Sequence, residues 1–100
     1  MRPVEPSAGF SVGQVADLLG VQQAFLRRVE RFDLVSPDRS AGQQRRYGAE
    51  DIAQLRTVIG LVDEGLTLAG VARVLALQAE VDALRAEIRR LKQGARTSGT

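Results

Sequence analysis

The chain of 100 residues contains no cysteine and no histidine. Their absence excludes disulfide bonds, thiolate or imidazole metal ligands, and acid–base catalysis by histidine. No apolar run approaches the roughly 20 residues that a membrane-spanning helix needs. The stretch from Met1 to Pro6 also lacks the apolar segment of a signal peptide. We therefore expect a cytoplasmic protein that has no membrane partner and no cofactor.

Catalysis fits the remaining residues poorly. Asp and Glu are the conventional acid–base groups that are left, and they are scattered along the chain with no Gly-rich phosphate loop nearby. We expect that the protein is not an enzyme. The composition itself, 44% hydrophobic and 26% charged, is typical of a globular domain.

The net charge of +2 is small, so its distribution along the chain is more informative than its size. Residues 11–47 carry six Arg against four acidic residues, and residues 77–100 carry five basic against three acidic residues. The segment between them, residues 48–76, carries two Arg against four acidic residues. The basic excess therefore falls on two separate segments.

The first helix has clear start and stop signals. Ser11 and Gln14 have the spacing of a capping box, in which the Ser is the N-cap and the Gln reaches back from position N3. Apolar residues then keep helical spacing as far as Gly20, which is a natural helix end.

A second helix is predicted from about Gln22 to Phe32, and its two faces differ in chemistry. One arc is apolar, and the opposite arc carries Gln and Arg side chains. Arg pairs bidentately with guanine edges and with phosphates, and Gln can read adenine. An ordinary solvated helix face remains the alternative for this helix taken alone. The apolar arc consists of Phe25, Leu26, Val29 and Phe32, and the polar arc of Gln23, Ala24, Arg27, Arg28 and Arg31.

Residues 38–47 follow an extended link and read as a short two-stranded wing. Asp38 to Gln44 is polar and turn-like with Gly42 near its tip, and Arg45, Arg46 and Tyr47 return toward the body. A plain hairpin with surface arginines is the alternative. A helix–turn–helix followed by a basic wing favours duplex DNA as the partner, because one helix enters the major groove while the wing grips the adjacent backbone.

The candidate DNA contacts fall into three groups. The recognition helix contributes Gln22, Gln23, Arg27, Arg28 and Arg31; the wing contributes Arg39, Gln43, Arg45, Arg46 and Tyr47; and the first helix contributes Ser11 and Gln14 as contacts to the DNA backbone.

Two more helices are predicted, one over residues 49–64 and one that Thr67 caps. From Val74 onward the apolar spacing becomes heptad-like, which indicates a helix–helix seam and a homodimer. The alternative is a helix that packs on its own domain. Heptad charges suit a parallel pair, because Glu80 and Glu87 lie at g while Arg85 and Lys92 lie at e. The predicted dimer seam consists of Leu77, Val81, Leu84, Ile88 and Leu91.

These motifs together resemble the DNA-binding domain of the MerR family of bacterial transcription regulators, in its short HspR-like branch. The resemblance covers roughly residues 10–92. Asp33 replaces a frequent Gly, and Asp tolerates the left-handed conformation better than most residues. The matching segments are Ser11 to Val21, Leu26 and Arg27, Leu34 to Pro37, Arg45 to Tyr47, Asp51 and Ile52, and Asp63 to Leu75.

The resemblance implies a mainly α fold: a winged helix-turn-helix DNA-binding domain with a small β wing, a second helix pair and a C-terminal dimerisation helix. The expected divisions are a flexible N-terminal arm at 1–9, the DNA-binding domain at 10–76, a coiled-coil helix at 77–93 and a disordered tail at 94–100. Family dimers typically pair this helix antiparallel, in contrast to the heptad charges.

The resemblance also implies a function. We expect a dimeric repressor that binds promoter inverted repeats on double-stranded DNA in the bacterial cytoplasm and nucleoid, with a chaperone as a possible regulatory partner. Two alternatives stay open: a MerR-like chaperone modulator that binds protein instead of DNA, and an architectural DNA binder with little sequence preference. The Arg-bearing helix face argues against the first of these.

Overall fold

The computed structural model describes residues 9–98, so most of the expected N-terminal arm lies outside the described residues. The described chain is mainly helical with one small antiparallel wing, as the fold class predicts. No helix in this part of the chain is long and apolar enough to cross a bilayer. The elements in chain order are α1 (Val12–Leu19), α2 (Gln23–Arg31), β1 (Asp38–Arg39), β2 (Arg45–Arg46), α3 (Ala49–Asp63) and α4 (Leu68–Ser98).

The predicted capping box of α1 is present. The Gln14 backbone N–H donates to the Ser11 hydroxyl oxygen at 3.2 Å, and the Ser11 N–H donates to the Gln14 side-chain oxygen at 2.8 Å. The helix ends at Gly20, whose φ of 67° lies in the left-handed region that glycine enters without steric cost. Local chemistry therefore defines both ends of α1.

Helix α2 begins after Gln22 and ends before Phe32. Leu26 and Val29 are completely buried, whereas Phe32 is 43% exposed and does not join the apolar arc predicted for it, because it lies at the C-cap where the chain turns away. The turn is made by Asp33 in the left-handed conformation, with φ of 58°. The helix is thus anchored by its central turns.

One hydrophobic core joins the helices, the link after α2 and the last residue of the wing. Tyr47 is the largest completely buried side chain. Its backbone exchanges two hydrogen bonds with Phe10, both at 2.8 Å, so the start of the described chain closes against the wing. The buried residues are Val15, Ala16, Leu26, Val29, Leu34, Val35, Tyr47, Leu55, Val58, Leu68 and Val71.

The fourth helix and the C-terminal helix form one continuous helix of 31 residues, α4. The Thr67 hydroxyl caps it by accepting from the Gly70 N–H at 3.1 Å. The helix continues through Gly94 to Ser98, so the disordered tail expected from residue 94 is not present over 94–98. Extending a formed helix adds one hydrogen bond per residue, which offsets a glycine penalty of about 1 kcal/mol.

The wing is a tight hairpin in which Asp38 pairs with Arg46 and Arg39 pairs with Arg45. Ser40 closes the turn: its N–H donates to the Gln44 carbonyl at 2.7 Å, and its hydroxyl accepts from the Gln44 N–H at 3.2 Å. The left-handed residue of this turn is Gln43, at φ 66°, beside the Gly42 expected near the tip. The side-chain bond of Ser40 supports this strained turn.

The wing is attached to α2 through Glu30. Its carboxylate accepts two hydrogen bonds from Arg45, from Nε to Oε2 and from Nη2 to Oε1, each at 2.8 Å. Arg39 Nη2 lies 3.5 Å from the same Oε1. The hydrogen bonds from Arg45, and then the positive charges of both arginines, lower the pKa of Glu30 below its ordinary value of about 4.5, although partial burial opposes them.

This lowered pKa predicts how stability depends on pH. A carboxyl whose pKa is depressed by folding contributes stability above its unfolded-state pKa and loses it as the pH falls through the folded-state value. We expect the free energy of unfolding of the parent to exceed that of Glu30→Gln at pH 6, and the difference to shrink progressively below pH 4.5. Urea unfolding of both proteins across this range measures the difference. A difference that stays constant with pH would show that the ion pair adds no stability.

Candidate DNA-binding surface

The five residues predicted for the recognition helix all lie on the exposed side of α2 or at its N-cap. The buried Leu26 and Val29 occupy the opposite side, so core packing turns the polar face outward. Gln23 and Arg27 lie one turn apart, and the Arg27 Nη2 donates to the Gln23 Oε1 at 3.3 Å. The exposed face is therefore an ordered array of guanidinium and amide groups.

Two of these cations also suit the end of the helix. Arg28 and Arg31 lie in the last turn of α2, where the partial negative charge of the helix C-terminus favours positive side chains. Both remain exposed, so this interaction leaves their guanidinium groups available to a ligand. The face can present charge to phosphates and paired donors to base edges.

The wing arginines differ in availability. Arg45 is tied to Glu30 by two donors and its side chain is 24% exposed, whereas the Arg39 side chain is 44% exposed and only weakly paired. Its hydrogen bond to Glu30 and the adjacent negative charge raise the pKa of Arg45, although burial opposes this. Two of the five N–H donors of Arg45 bind Glu30 within the chain, and a DNA contact through the remaining donors stays a prediction. Arg39 and Gln43 are exposed, whereas Arg46 is partly exposed and lines a depression together with Asp38, Glu50 and Asp51.

Tyr47 does not lie on the outer surface of the wing, so that part of the site prediction is wrong. Its side chain is completely buried, and burial raises the pKa of its phenol, which stays neutral. The period of two in an extended strand explains the error, because Arg45 and Tyr47 lie on one side of the strand and Arg46 on the other. Arg45 bonds to Glu30 of α2, Tyr47 enters the core, and Arg46 lies beside Asp38 and Glu50. Applying that alternation to the sequence would have separated the three residues.

Ser11 and Gln14, predicted as backbone contacts, are used in the cap of α1. The Ser11 oxygen accepts within the cap, and its hydroxyl proton remains for an external acceptor. A contact from this residue to a phosphate stays a prediction.

Glu30 is the functional candidate that the sequence analysis missed. It is the single acidic residue of α2 and lies between Arg28 and Arg31. In the sequence it is one acid among basic residues, and only the tertiary fold brings Arg39 and Arg45 to it. The spacing of the chain contains no signal for this pairing.

The predicted dimer seam is an unpartnered apolar stripe along α4. Every described residue from 76 to 96 is exposed in the single chain. The exposed fraction of the seam residues runs from 38% at Val81 to 63% at Leu84. An exposed apolar stripe of this length is typical of an interaction surface.

Comparison with known proteins places these features in a family. A family model described as MerR HTH family regulatory protein matches residues 10–78. The chain is 42% identical over 98 residues to a protein of Streptomyces coelicolor named "Putative heat shock protein HspR", and the match covers 94% of this chain and 65% of HspR. It is 35% identical over 69 residues to the transcriptional regulator GlnR of Bacillus anthracis, and this match covers 69% of this chain and 54% of GlnR. The chain therefore spans somewhat less than two thirds of HspR and about half of GlnR.

Solved structures give the same fold. The N-terminal part of the Bacillus subtilis multidrug transporter activator, MtaN, has a TM-score of 0.63 at 22% identity and covers 88% of this chain and 92% of its own. A MerR family regulator from Bacillus cereus has a TM-score of 0.61 at 18% identity and covers 84% and 72%. At these identities the likeness establishes the fold alone. The family match over residues 10–78, together with the identity to HspR, shows that the chain belongs to the MerR HTH family of regulatory proteins.

Proposed function

We propose that this chain is a sequence-specific, DNA-binding transcriptional regulator that acts as a dimeric repressor at promoter inverted repeats. The observation that carries the proposal is the exposed Gln and Arg face of α2, held beside a wing on which Arg39 and Gln43 are exposed and Arg46 is partly exposed. The relatives HspR and GlnR support it, since GlnR is a transcriptional regulator by name.

Helix α2 and the wing contact different parts of the DNA. Helix α2 enters the major groove, where Arg27 and Arg28 donate to base edges and Gln23 orients Arg27. The wing lies over the neighbouring backbone, where Arg46 and Arg39 neutralise phosphates. Phosphate contacts supply affinity on any sequence, and base contacts supply the preference among sequences.

A second copy of the chain is the proposed partner of the α4 seam. Two copies related by a twofold axis present two α2 helices, which matches an inverted repeat with half-sites about one helical turn of DNA, or a multiple of it, apart. A regulatory protein such as a chaperone is a further proposed partner, supported by the heat shock protein name that the relative HspR carries.

The first test is selection from genomic DNA. The purified chain is incubated with fragmented DNA of its host at about 0.15 M salt, and the retained fragments are sequenced. We expect enrichment of a few promoters that share an inverted repeat. Broad retention without preference would favour an architectural DNA binder, and absence of retention would favour a module that binds protein.

The roles of individual arginines are tested on the selected operator and on a random duplex. Arg27→Ala should weaken operator binding by about 1–3 kcal/mol while changing random-duplex binding much less, since it removes a base contact. Arg46→Ala should weaken binding to both duplexes and reduce the log–log salt slope by about one unit, since it removes a phosphate contact. Fluorescence anisotropy at several salt concentrations measures both. Equal losses on both duplexes for both variants would contradict the division of roles.

The seam is tested by placing one charge in it. Leu84→Lys should weaken self-association by at least about tenfold, because burial of each leucine at a seam contributes about 1.5–3 kcal/mol. Ala86→Lys is the matched control, since it adds the same charge on the same helix outside the predicted seam. Sedimentation equilibrium measures the dimer dissociation constant of each variant. If both variants associate equally well, the stripe is not the dimer interface.

A further inference from the structure

Glu30 connects the two elements that form the proposed DNA surface. It belongs to α2, and it binds one arginine from each strand of the wing, Arg39 from β1 and Arg45 from β2. Among residues 9–98, every ion pair between α2 and the wing passes through this carboxylate. One side chain therefore relates the position of the wing to that of the helix.

The geometry of this contact fixes direction as well as distance. Both carboxylate oxygens of Glu30 accept from different nitrogens of Arg45, at 2.8 Å each. A bidentate pair of this kind restricts the rotation of the guanidinium plane that a single bond would allow. The Glu30 side chain is 21% exposed, so water screens the pair only in part.

The same carboxylate also offsets a repulsion inside the wing. Arg39 and Arg45 are direct cross-strand partners in the hairpin. Like charges directly opposite each other destabilise a strand pair. Glu30 lies within reach of both guanidinium groups, 3.5 Å from Arg39 and 2.8 Å from Arg45, and supplies the opposite charge that they share. The hairpin thus depends on α2 for the pairing of its two strands.

A carboxylate on this helix face has an electrostatic cost for binding a polyanion, because it brings negative charge toward the phosphates. The carboxylate of Glu30 therefore contributes something other than affinity for DNA. We propose that Glu30 is a positioning residue for sequence specificity: it locks the wing to the recognition helix, so that the phosphates gripped by the wing set the register at which α2 meets the bases. This inference rests on the proposed DNA-binding function.

Loss of the contact between Glu30 and the wing should affect specific and non-specific DNA binding differently. Non-specific binding needs positive charge near phosphates and tolerates a wing that moves. Specific binding needs the wing contacts and the base contacts to be satisfied in one arrangement, because backbone contacts fix the register of the protein on the duplex. Removing Glu30 therefore lowers discrimination and does not lower general affinity.

Glu30→Gln tests this, because glutamine keeps the size of the side chain and removes its charge. We expect the ratio of operator to random-duplex affinity to fall by at least about tenfold, the order of one lost base contact. Random-duplex affinity should hold or rise, since two arginines are released. Glu64→Gln is the matched control: Glu64 is exposed at the C-cap of α3, outside the seam and the proposed DNA surface, and the same substitution there should leave the ratio unchanged. An unchanged ratio for Glu30→Gln, or equal tightening on both duplexes, would overturn the proposal.

A second measurement needs no DNA. Amide hydrogen exchange at Ser40 and Gln43, whose N–H groups are bonded within the wing, reports how often the hairpin opens. We expect Glu30→Gln to raise exchange at these amides by at least about tenfold while Val15 in α1 keeps its parent rate. The charge-swapped pair Glu30→Arg with Arg45→Glu should restore both wing protection and discrimination. Unchanged exchange in Glu30→Gln would reject the lock.

The DNA-affinity ratio and the hydrogen-exchange rates together distinguish failure of this inference from failure of the proposed function on which it rests. If the parent protein itself shows no preference among duplexes, the proposed regulator function fails. The exchange measurement then still decides whether Glu30 locks the wing. If the parent discriminates and Glu30→Gln discriminates equally well, the lock fails and the regulator function stands.

Discussion

The burial of one side of α2 is the constraint on which the rest of the structure depends. Leu26 and Val29 are completely buried, and each contributes about 1.5–3 kcal/mol through removal of apolar surface from water. Rotation of the helix would expose them, so the opposite side, with Arg27 and Arg28, is held outward. The proposed reading face is thus a consequence of core packing, which no interaction within the face itself could supply.

Glu30 extends that constraint from the helix to the wing. It lies at the edge between the buried and the exposed sides of α2, where it is partly shielded from water yet still reaches Arg45 and Arg39. The depressed pKa of the carboxyl keeps it charged across the neutral range. Tyr47 fills the core beneath the same hairpin. The wing is therefore stabilised by the packing of Tyr47 in the core and by the ion pairs of Glu30 with Arg39 and Arg45.

The proposed dimer seam lies on α4, a different helix from the one that carries the proposed reading face. The first turns of α4 contribute Leu68 and Val71 to the core, and its residues from 76 to 96 are exposed in the single chain. Because the helix is continuous, a partner bound along the seam is rigidly connected to the domain that carries α2. Such a connection allows a second copy to set the spacing between two reading faces.

The sequence by itself determined the local elements: the capping box of Ser11 and Gln14, the stop at Gly20, the two faces of α2 and the apolar stripe of α4. Each depends on residues within about two helical turns, and the chemistry of such short spacings is visible in the sequence. Only the tertiary structure decided that Glu30 pairs with Arg45 and that Tyr47 is buried, because the partners of these residues come from other elements and their burial depends on how those elements pack. It also decided how exposed each wing arginine is and which acidic residue lies beside it, since charge, unlike apolar periodicity, does not reveal in sequence where its partner lies.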